Sequence, residues 1–283
     1  MFSLLRKAVS KLRKVKTRNA AKVLFKGRSK FRMLTVIENR KNHTRVMYAG
    51  NKLFMAGIDT RTGFPTDHTY FLADIFAPRP NFVLVLGGGP NAVPTYVWRH
   101  YRPKSVHVVE RDYLTTLLAK RFFKLPRNKG FKVFHQDAKD FLRRSRNKYD
   151  VIYFNLGLTR KRGLKKDGLF ELSSQKGIEN LANRLRENGV VIYVIIARLE
   201  GQDLVFLEKC LSYFKKSFAS CYVFSDFQKR PSKIQTVVFV ATNAKTSLQK
   251  EYTTFLDSRH RMHPKKIYET LMTKLIDKPW KLS

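Results

Sequence analysis

The stretch Val83-Leu-Val-Leu-Gly87-Gly-Gly-Pro-Asn91 decides the fold of this chain. Its apolar residues predict a buried strand, and the three consecutive glycines predict a tight turn at the end of that strand. Glycines let the backbone approach a ligand closely, and the helix that follows directs its N-terminus toward the same place. A turn that needs small residues for purely steric reasons is the alternative interpretation.

Strands and helices alternate beyond the glycine turn. The sequence predicts strands at 82–86, 105–110, 131–135, 150–155, 189–197, 220–224 and 236–241. It predicts helices up to 102 and over 113–124, 138–144, 173–187 and 204–214. This α/β alternation predicts a doubly wound, mostly parallel sheet of seven strands, with a ligand crevice at the carboxyl ends of the strands. The last two strands have a short polar connection, so we expect them to form an antiparallel pair.

A smaller unit precedes the α/β domain. Met33–Ile37, Thr44–Tyr48 and Asn51–Ile58 read as strands of a small antiparallel β unit. The predicted organisation is a basic arm or targeting segment (1–32), the β unit (33–66), the α/β domain (67–245) and a basic tail (246–283), helical over 264–276.

Charge is the strongest compositional signal. The chain of 283 residues has 57 Lys and Arg against 21 Asp and Glu, a formal net charge of +36, while 43% hydrophobic residues supply a core. Such an excess destabilises a compact protein by self-repulsion, which a polyanionic partner offsets. The cations are spread along the chain, which favours a protein embedded in RNA. A merely basic protein and a binder of anionic membranes are the alternatives.

The first 32 residues carry twelve cations and no carboxylate. A basic amphipathic N-terminus is typical of a mitochondrial targeting segment and places the protein in the matrix. A permanent RNA-binding arm is the other interpretation, and the two are compatible. The cations expected to contact RNA are Arg6, Lys7, Lys11, Arg13 and Lys14 in this arm, and Arg160, Lys161, Arg162, Lys165 and Lys166 in a loop.

Two acidic residues follow strands at positions that suit nucleoside binding. Glu110 ends the second strand of the α/β domain, about 20 residues after the glycine turn, a spacing that suits a ribose diol. Asp137 ends the third strand and is followed by Ala138, where a carboxylate can reach an adenine amino group. Each acid alone also fits an ordinary helix N-cap.

These residues carry a resemblance to the spermidine synthase (polyamine aminopropyltransferase) family. The resemblance includes the β unit, Gly87-Gly88-Gly89, Glu110, Asp137-Ala138, Tyr149-Asp-Val-Ile152 and Leu185-Arg-Glu-Asn-Gly-Val-Val-Ile192. It implies a Rossmann-like class I methyltransferase fold. It also implies that Gly87, Gly88, Gly89, Glu110, Asp137 and Ala138 hold an adenosyl cofactor, with S-adenosylmethionine as the possible ligand.

The chain departs from the family after the fourth strand of the α/β domain. Asn155 occupies the position where the family has its catalytic aspartate, and an amide cannot accept a proton from an ammonium at neutral pH. Five cations at 160–166 are also expected to repel a polycationic substrate. We therefore expect no polyamine synthesis and assign no catalytic residue.

Two functions then remain open. The first, which we favour, is a non-catalytic RNA-bound protein, a structural component of a (mitochondrial) ribosome that contacts ribosomal RNA and neighbouring ribonucleoprotein subunits. The alternative is an active S-adenosylmethionine-dependent RNA methyltransferase, since methyl transfer often needs only cofactor and nucleophile held in line.

Cysteine and histidine spacing predicts neither a disulfide framework nor a metal site. Cys210 and Cys221 are too few for either, and we expect both thiols to be reduced and buried. His107 and His135 alternate with apolar strand residues and are interpreted as packing residues. No apolar run has the length of a membrane-spanning helix.

Overall fold

Two β-sheets form the framework of the protein in the computed structural model, which describes residues 21–50, 53–66, 79–160, 168–225 and 231–244. The first is a four-stranded antiparallel sheet in the order β1-β2-β3-β4. Its strands are β1 (Ala21–Arg28), β2 (Met33–Asn39), β3 (Thr44–Ala49) and β4 (Leu53–Asp59). We keep the name β unit for this sheet.

The β unit begins earlier than the sequence predicted. The prediction started it at Met33 and assigned everything before that residue to the basic arm, but β1 pairs with β2 along its whole length. The strand escaped recognition because Lys22, Lys26 and Arg28 interrupt its apolar residues. An edge strand tolerates exposed cations, since only one of its sides is paired.

The second sheet has seven strands and is flanked, within the described ranges, by six helices. Its strands are β5 (Phe82–Leu86), β6 (Ser105–Val109), β7 (Phe131–Phe134), β8 (Tyr149–Leu158), β9 (Leu185–Ala197), β10 (Ser220–Ser225) and β11 (Gln235–Thr242). The helices are α1 (Ala92–Tyr101), α2 (Tyr113–Phe122), α3 (Ala138–Arg144), α4 (Gly168–Leu172), α5 (Gln175–Ala182) and α6 (Gly201–Ser217).

The topology confirms the predicted fold class. The strand order is β10-β11-β9-β8-β5-β6-β7. The pairs among β5, β6, β7, β8 and β9 are parallel, and β11 is antiparallel to both β9 and β10. The chain runs outward from β5 through β6 to β7 and then returns to the other side of β5 with β8. The order therefore reverses between β5 and β8, where open α/β sheets bind their ligands.

Hydrophobic residues on both faces of the larger sheet explain its continuous apolar strands. In β5, Leu84 and Leu86 join the core on one face, while Val83 and Val85 join the core on the other. Phe154 of β8 stacks on Tyr193 of β9 with ring centroids 4.0 Å apart. A parallel sheet buried on both sides needs such runs, because no residue of a central strand faces water.

A third apolar cluster joins the β unit to the helices of the larger sheet. Leu34 and Met47 of the β unit pack in one cluster with Ala92, Leu118 and Phe123. An ion pair lies at the same junction, where Arg45 binds Glu38 and donates a hydrogen bond to the Phe122 carbonyl at 2.6 Å. The β unit is thereby held against α1 and α2, next to the glycine turn.

The stretch predicted as one helix over 173–187 contains a shorter helix and the start of a strand. Helix α4 ends at Leu172, α5 covers Gln175–Ala182, and β9 begins at Leu185. The polar sequence before Gly189 reads as a helix end, but it is an exposed strand extension in which Asn188 has a φ of 59°. The predicted tail helix at 264–276 lies outside the described residues, as do residues 1–20 of the arm. No helix in the described part of the chain has the length and apolar character needed to cross a membrane.

Candidate nucleoside-binding site

The glycine turn after β5 lies against the end of β8, at the point where the strand order reverses. Gly87 has a φ of +84°, and a Cβ atom there would lie 2.4 Å from the Asn155 carbonyl oxygen. A Cβ atom at Gly88 would lie 2.5 Å from Cγ1 of Val108. Neither position accommodates a side chain, so these two glycines allow the turn to pack against both neighbouring strands. The steric interpretation of the turn is thus confirmed, and it is compatible with ligand binding.

Asn91 closes the glycine turn in a left-handed conformation. Its φ is 60°, its side chain is fully buried, and its Nδ2 donates a hydrogen bond to the Gly89 carbonyl at 3.0 Å. Asparagine adopts this conformation more readily than most residues. Helix α1 begins at the next residue without a side-chain cap, so the N–H groups of its first turn lack intrahelical partners and suit a negatively charged or polar ligand group.

Glu110 connects the second strand of the larger sheet to the glycine turn. Its carboxylate accepts hydrogen bonds from the backbone N–H of Gly89 and from that of Asp112, each at 2.9 Å. The side chain is buried, and this burial raises its pKa, opposed by the two N–H donors and by the positive charge of Arg32. Sequence reasoning placed Glu110 at the end of the second strand of this sheet but missed its bond to the turn, which depends on tertiary structure.

Asp137 forms the N-cap of α3. Its carboxylate accepts a hydrogen bond from the Lys139 N–H at 2.9 Å, while Ala138 is buried at the start of the helix. The structure therefore shows the N-cap role that the sequence left open for this residue. Each carboxylate oxygen has two lone pairs, so Asp137 and Glu110 retain acceptor capacity toward a nucleoside.

A cationic and aromatic rim borders the crevice beside Glu110. The Arg111 guanidinium lies 4.7 Å from the centre of the Phe31 ring, and the Tyr113 and His135 rings meet edge to face at 4.9 Å. His135 is exposed, although its ring packs against Tyr113 and its Nδ1 lies 3.1 Å from the Glu110 carbonyl oxygen. Sequence reasoning missed this rim because its residues come from the turn after β1 and from the ends of β6 and β7.

His107 has the packing role that the sequence predicted. Its Nδ1 lies 3.0 Å from the Tyr149 hydroxyl, and the ring is partly buried. Burial lowers its pKa, assisted by the nearby charge of Lys132. The residue is therefore part of the sheet packing and not of the crevice.

Asn155 lies near the end of β8, half-buried beside Gly87. Strand β8 extends to Leu158, three residues further than predicted, and Arg160 follows it. Arg160 donates a hydrogen bond to Asp203 at 3.0 Å, and Arg198 lies 3.6 Å from the same carboxylate. One of the five loop cations is thus already paired within the fold.

The other cations predicted to contact RNA lie outside the described residues. These are Arg6, Lys7, Lys11, Arg13 and Lys14 of the arm and Lys161, Arg162, Lys165 and Lys166 of the loop. No group of His, Cys, Asp and Glu side chains in the described ranges has the arrangement of a metal site. Cys210 and Cys221 are free thiols, the first buried as predicted and the second half-buried.

Comparisons with known proteins agree with this geometry. A sequence profile of the spermine/spermidine synthase domain matches residues 70–250. A polyamine aminopropyltransferase of Vibrio vulnificus is 28% identical over 97 residues, which cover 33% of this chain and 32% of that protein. The matched stretch therefore spans about a third of the relative's length.

Solved structures resemble the chain over a larger share of its length. A probable spermidine synthase from Corynebacterium glutamicum has 15% identity and a TM-score of 0.66, covering 82% of this chain and 86% of that one. Human methyltransferase-like protein 13 in complex with SAH has 20% identity and a TM-score of 0.53, covering 66% of this chain and 84% of that one. Both likenesses concern the fold.

From the sequence we favoured a protein that is not an enzyme and expected no polyamine synthesis. These findings contradict that expectation. The matched family and the named relative are those of polyamine aminopropyltransferases, and the chain is not shown to be a methyltransferase. The expectation relied on the uncharged side chain of Asn155 and on the five cations at 160–166. One position does not exclude a reaction, because a proton acceptor can come from another element or act through a water.

Proposed function

Since the chain belongs to the spermine/spermidine synthase family, we propose that it binds an S-adenosylmethionine-type nucleoside beside its glycine turn and binds RNA on its surface. The observation that carries the RNA assignment is the formal net charge of +36. The nucleoside assignment is supported by the buried carboxylate of Glu110 at the glycine turn and by the SAH bound to the methyltransferase-like neighbour.

The net charge of +36 already counts every acidic side chain, and several of these acids are also engaged within the fold. Asp150 accepts hydrogen bonds from the backbone N–H groups of Asn81 and Phe82, and Asp203 binds Arg160 and Arg198. Glu110, Asp112 and Asp137 bind backbone N–H groups at the crevice. Phosphates of a polyanion supply the counter-charge that the surface lacks.

Ribosomal RNA is the RNA class that we propose, with neighbouring ribonucleoprotein subunits as further partners. Cations distributed along the whole chain suit a protein surrounded by folded RNA better than one that reads a single groove. We propose the mitochondrial matrix as the location, because the acid-free N-terminal arm has the composition of a targeting segment.

Salt titration of RNA binding tests the RNA proposal. We expect log affinity to fall steeply with log salt, and each phosphate that a variant no longer neutralises to flatten the slope for single strands by about 0.7. The variants are a deletion of residues 1–20, which leaves β1 in place, and a quadruple replacement by Ser of Lys161, Arg162, Lys165 and Lys166, which leaves the Arg160–Asp203 ion pair in place. The replacement of the exposed, uncharged Gln202 by Ser serves as control. A wild type that does not bind RNA, or binds it without salt dependence, would contradict the proposal.

Thermal shift with S-adenosylmethionine tests the nucleoside proposal. A ligand that binds only the native state raises the melting temperature by mass action. Removal of a charge-assisted hydrogen bond in Glu110→Ala should cost roughly 1.5–3 kcal/mol of binding free energy. Glu208→Ala, at an exposed position on α6, should respond to the ligand like the wild type. The absence of any shift in the wild type would refute nucleoside binding.

Aminopropyl transfer is the second candidate function, favoured by the family match and by the name of the curated relative. The wild type and Asn155→Asp should be incubated with an aminopropyl-donating adenosyl compound and a diamine. We expect turnover by the wild type and faster turnover by Asn155→Asp, because a carboxylate at the end of β8 can accept the proton of the amine. If neither protein forms product, this candidate is eliminated.

A further inference from the structure

The β unit has an inner face against α1 and α2 and an outer face away from them. Strand pairing fixes the division, because residues directly opposite each other share a face and successive residues alternate. Leu34, Met47 and Ala56 are buried and belong to the inner face. One cross-strand row of the outer face consists of Lys26, Thr35, Tyr48 and Phe54, each paired with the next.

Two aromatic side chains lie side by side in this row. The Tyr48 and Phe54 rings meet edge to face with centroids 6.2 Å apart, and Phe54 is 44% exposed. A bulge between Met47 and Tyr48 keeps Phe54 opposite Tyr48 by leaving Met55 without a paired residue on β3. Exposed aromatic rings on a sheet provide platforms on which unpaired bases stack, whatever the base.

Cations border the aromatic pair on the side of β1. Lys26 lies in the same row, and Arg28 lies one row further along the same face, opposite Met33. Both side chains are exposed, and the exposed Lys30 follows in the turn. These residues place positive charge two strands away from Tyr48 and three strands away from Phe54, about 10 Å and about 14 Å at the usual strand spacing.

The carboxylates of the β unit do not neutralise this face. Glu38 binds Arg45 at the junction with α2, on the inner face. Asp59 lies at the end of β4, where it binds the backbone N–H groups of Arg61 and Thr62 and the Arg61 guanidinium. Among the described residues of the β unit, Lys26 and Arg28 therefore have no carboxylate hydrogen-bonded to them.

We propose that the outer face of the β unit binds single-stranded RNA, with bases stacked on Tyr48 and Phe54 and phosphates held by Lys26 and Arg28. This inference rests on the proposed RNA binding and specifies both the binding site and a preference for single-stranded RNA. A purely electrostatic surface accepts duplex and single strand alike, whereas stacking on a protein ring requires an unpaired base. Single-strand preference is therefore the property that distinguishes this site.

Fluorescence anisotropy with an eight-nucleotide single-stranded oligoadenylate, and with a duplex of equal length, tests the proposal on the full chain. We expect Phe54→Ala and Tyr48→Ala each to weaken single-strand binding about tenfold, equal to about 1.4 kcal/mol. Their salt slope should stay unchanged, since stacking releases no counterion. Replacement of Lys26 and Arg28 by Ser should instead flatten the slope by about 0.7 for each phosphate that is no longer neutralised.

Two further variants test whether the loss of affinity is specific to the aromatic ring and to its face of the sheet. Leu53→Ala removes a 51% exposed side chain from the same strand at a position paired with the inner-face Ala49, and should bind like the wild type. Phe54→Leu retains apolar bulk without a ring, so it should lose affinity as Phe54→Ala does.

The outcomes separate this site from RNA binding in general. If the wild type does not bind either RNA, the proposed function itself fails. If the wild type binds RNA but Tyr48→Ala and Phe54→Ala bind as tightly, only the stacking site is refuted. A change of oligomeric state in Phe54→Ala with RNA affinity unaltered would likewise refute it and assign the face to protein contacts.

Discussion

Replacement of Gly87 by Ala is the sharpest test of the crevice geometry. The residue combines a φ of +84° with a virtual Cβ position 2.4 Å from the Asn155 carbonyl oxygen and 2.8 Å from its carbonyl carbon. Both neighbouring atoms belong to the backbone of β8, so a side-chain rotation cannot relieve the contact. The larger sheet must shift at the point where its strand order reverses.

The loss of stability in Gly87→Ala has two parts, which can be measured separately because the chain has a second glycine with a positive φ in open space. A left-handed conformation costs an L-residue about 1–2 kcal/mol, and overpacking that moves backbone costs about 1–3 kcal/mol more. Gly50 has a φ of +60° with nothing within 4 Å of its virtual Cβ, so Gly50→Ala incurs only the first part. We expect Gly87→Ala to lose about 2–5 kcal/mol and Gly50→Ala about 1–2 kcal/mol.

Urea unfolding of the two variants measures the difference without any ligand, so its result is independent of the proposed function. Gly201→Ala provides a second open position, with a φ of +57° at the start of α6, and should behave like Gly50→Ala. Equal destabilisation in Gly87→Ala and Gly50→Ala would refute the close approach of the turn to β8. It would also remove the steric reason for glycine at this position.

Three further outcomes follow from Glu110, Cys210 and Asp150. Burial raises the pKa of Glu110 in the folded state, so ionisation of this side chain opposes folding. The wild type should therefore lose stability relative to Glu110→Gln as the pH rises above the ordinary pKa of glutamate. Denaturation at a series of pH values from about 4 to 8 measures this difference. Burial raises the pKa of Cys210 to about 12, so this thiol should resist alkylation at about pH 8 until the protein unfolds. Rapid alkylation of Cys210 in the folded protein would contradict its burial. Asp150→Asn should cost about 1–2 kcal/mol in urea unfolding, because a neutral amide oxygen accepts the Asn81 and Phe82 N–H groups less strongly than a carboxylate. Glu208→Gln, on exposed α6, should stay within about 0.5 kcal/mol of wild type.

The sequence predicts a helix or strand well when the residues of that element alone determine its secondary structure. The apolar run 82–86 becomes β5 with the predicted bounds, and Ala138–Arg144 becomes α3. Asp112 caps α2 by accepting a hydrogen bond from the Leu114 N–H, a local signal that needs no tertiary contact. The β10–β11 pair was likewise predictable from a short polar connection between two apolar runs.

The elements that the sequence missed depend on neighbours distant in the chain. Strand β1 is identified by its pairing with β2, since its exposed cations obscure the apolar alternation. The exposed start of β9 contains polar residues that also fit a helix end. The Glu110 bond to the Gly89 N–H joins residues that follow two different strands, so only the assembled sheet reveals it.

The two motif acids have structural roles that are compatible with the nucleoside binding we propose. Glu110 joins β6 to the glycine turn, and Asp137 begins α3, so folding alone gives each a function. Those same hydrogen bonds fix each carboxylate in place before a ligand arrives. A carboxylate held by backbone N–H groups loses less rotamer freedom when a ribose hydroxyl binds its remaining lone pairs. In the proposed nucleoside complex, the bonds that stabilise the turn would therefore also preorganise the two carboxylates.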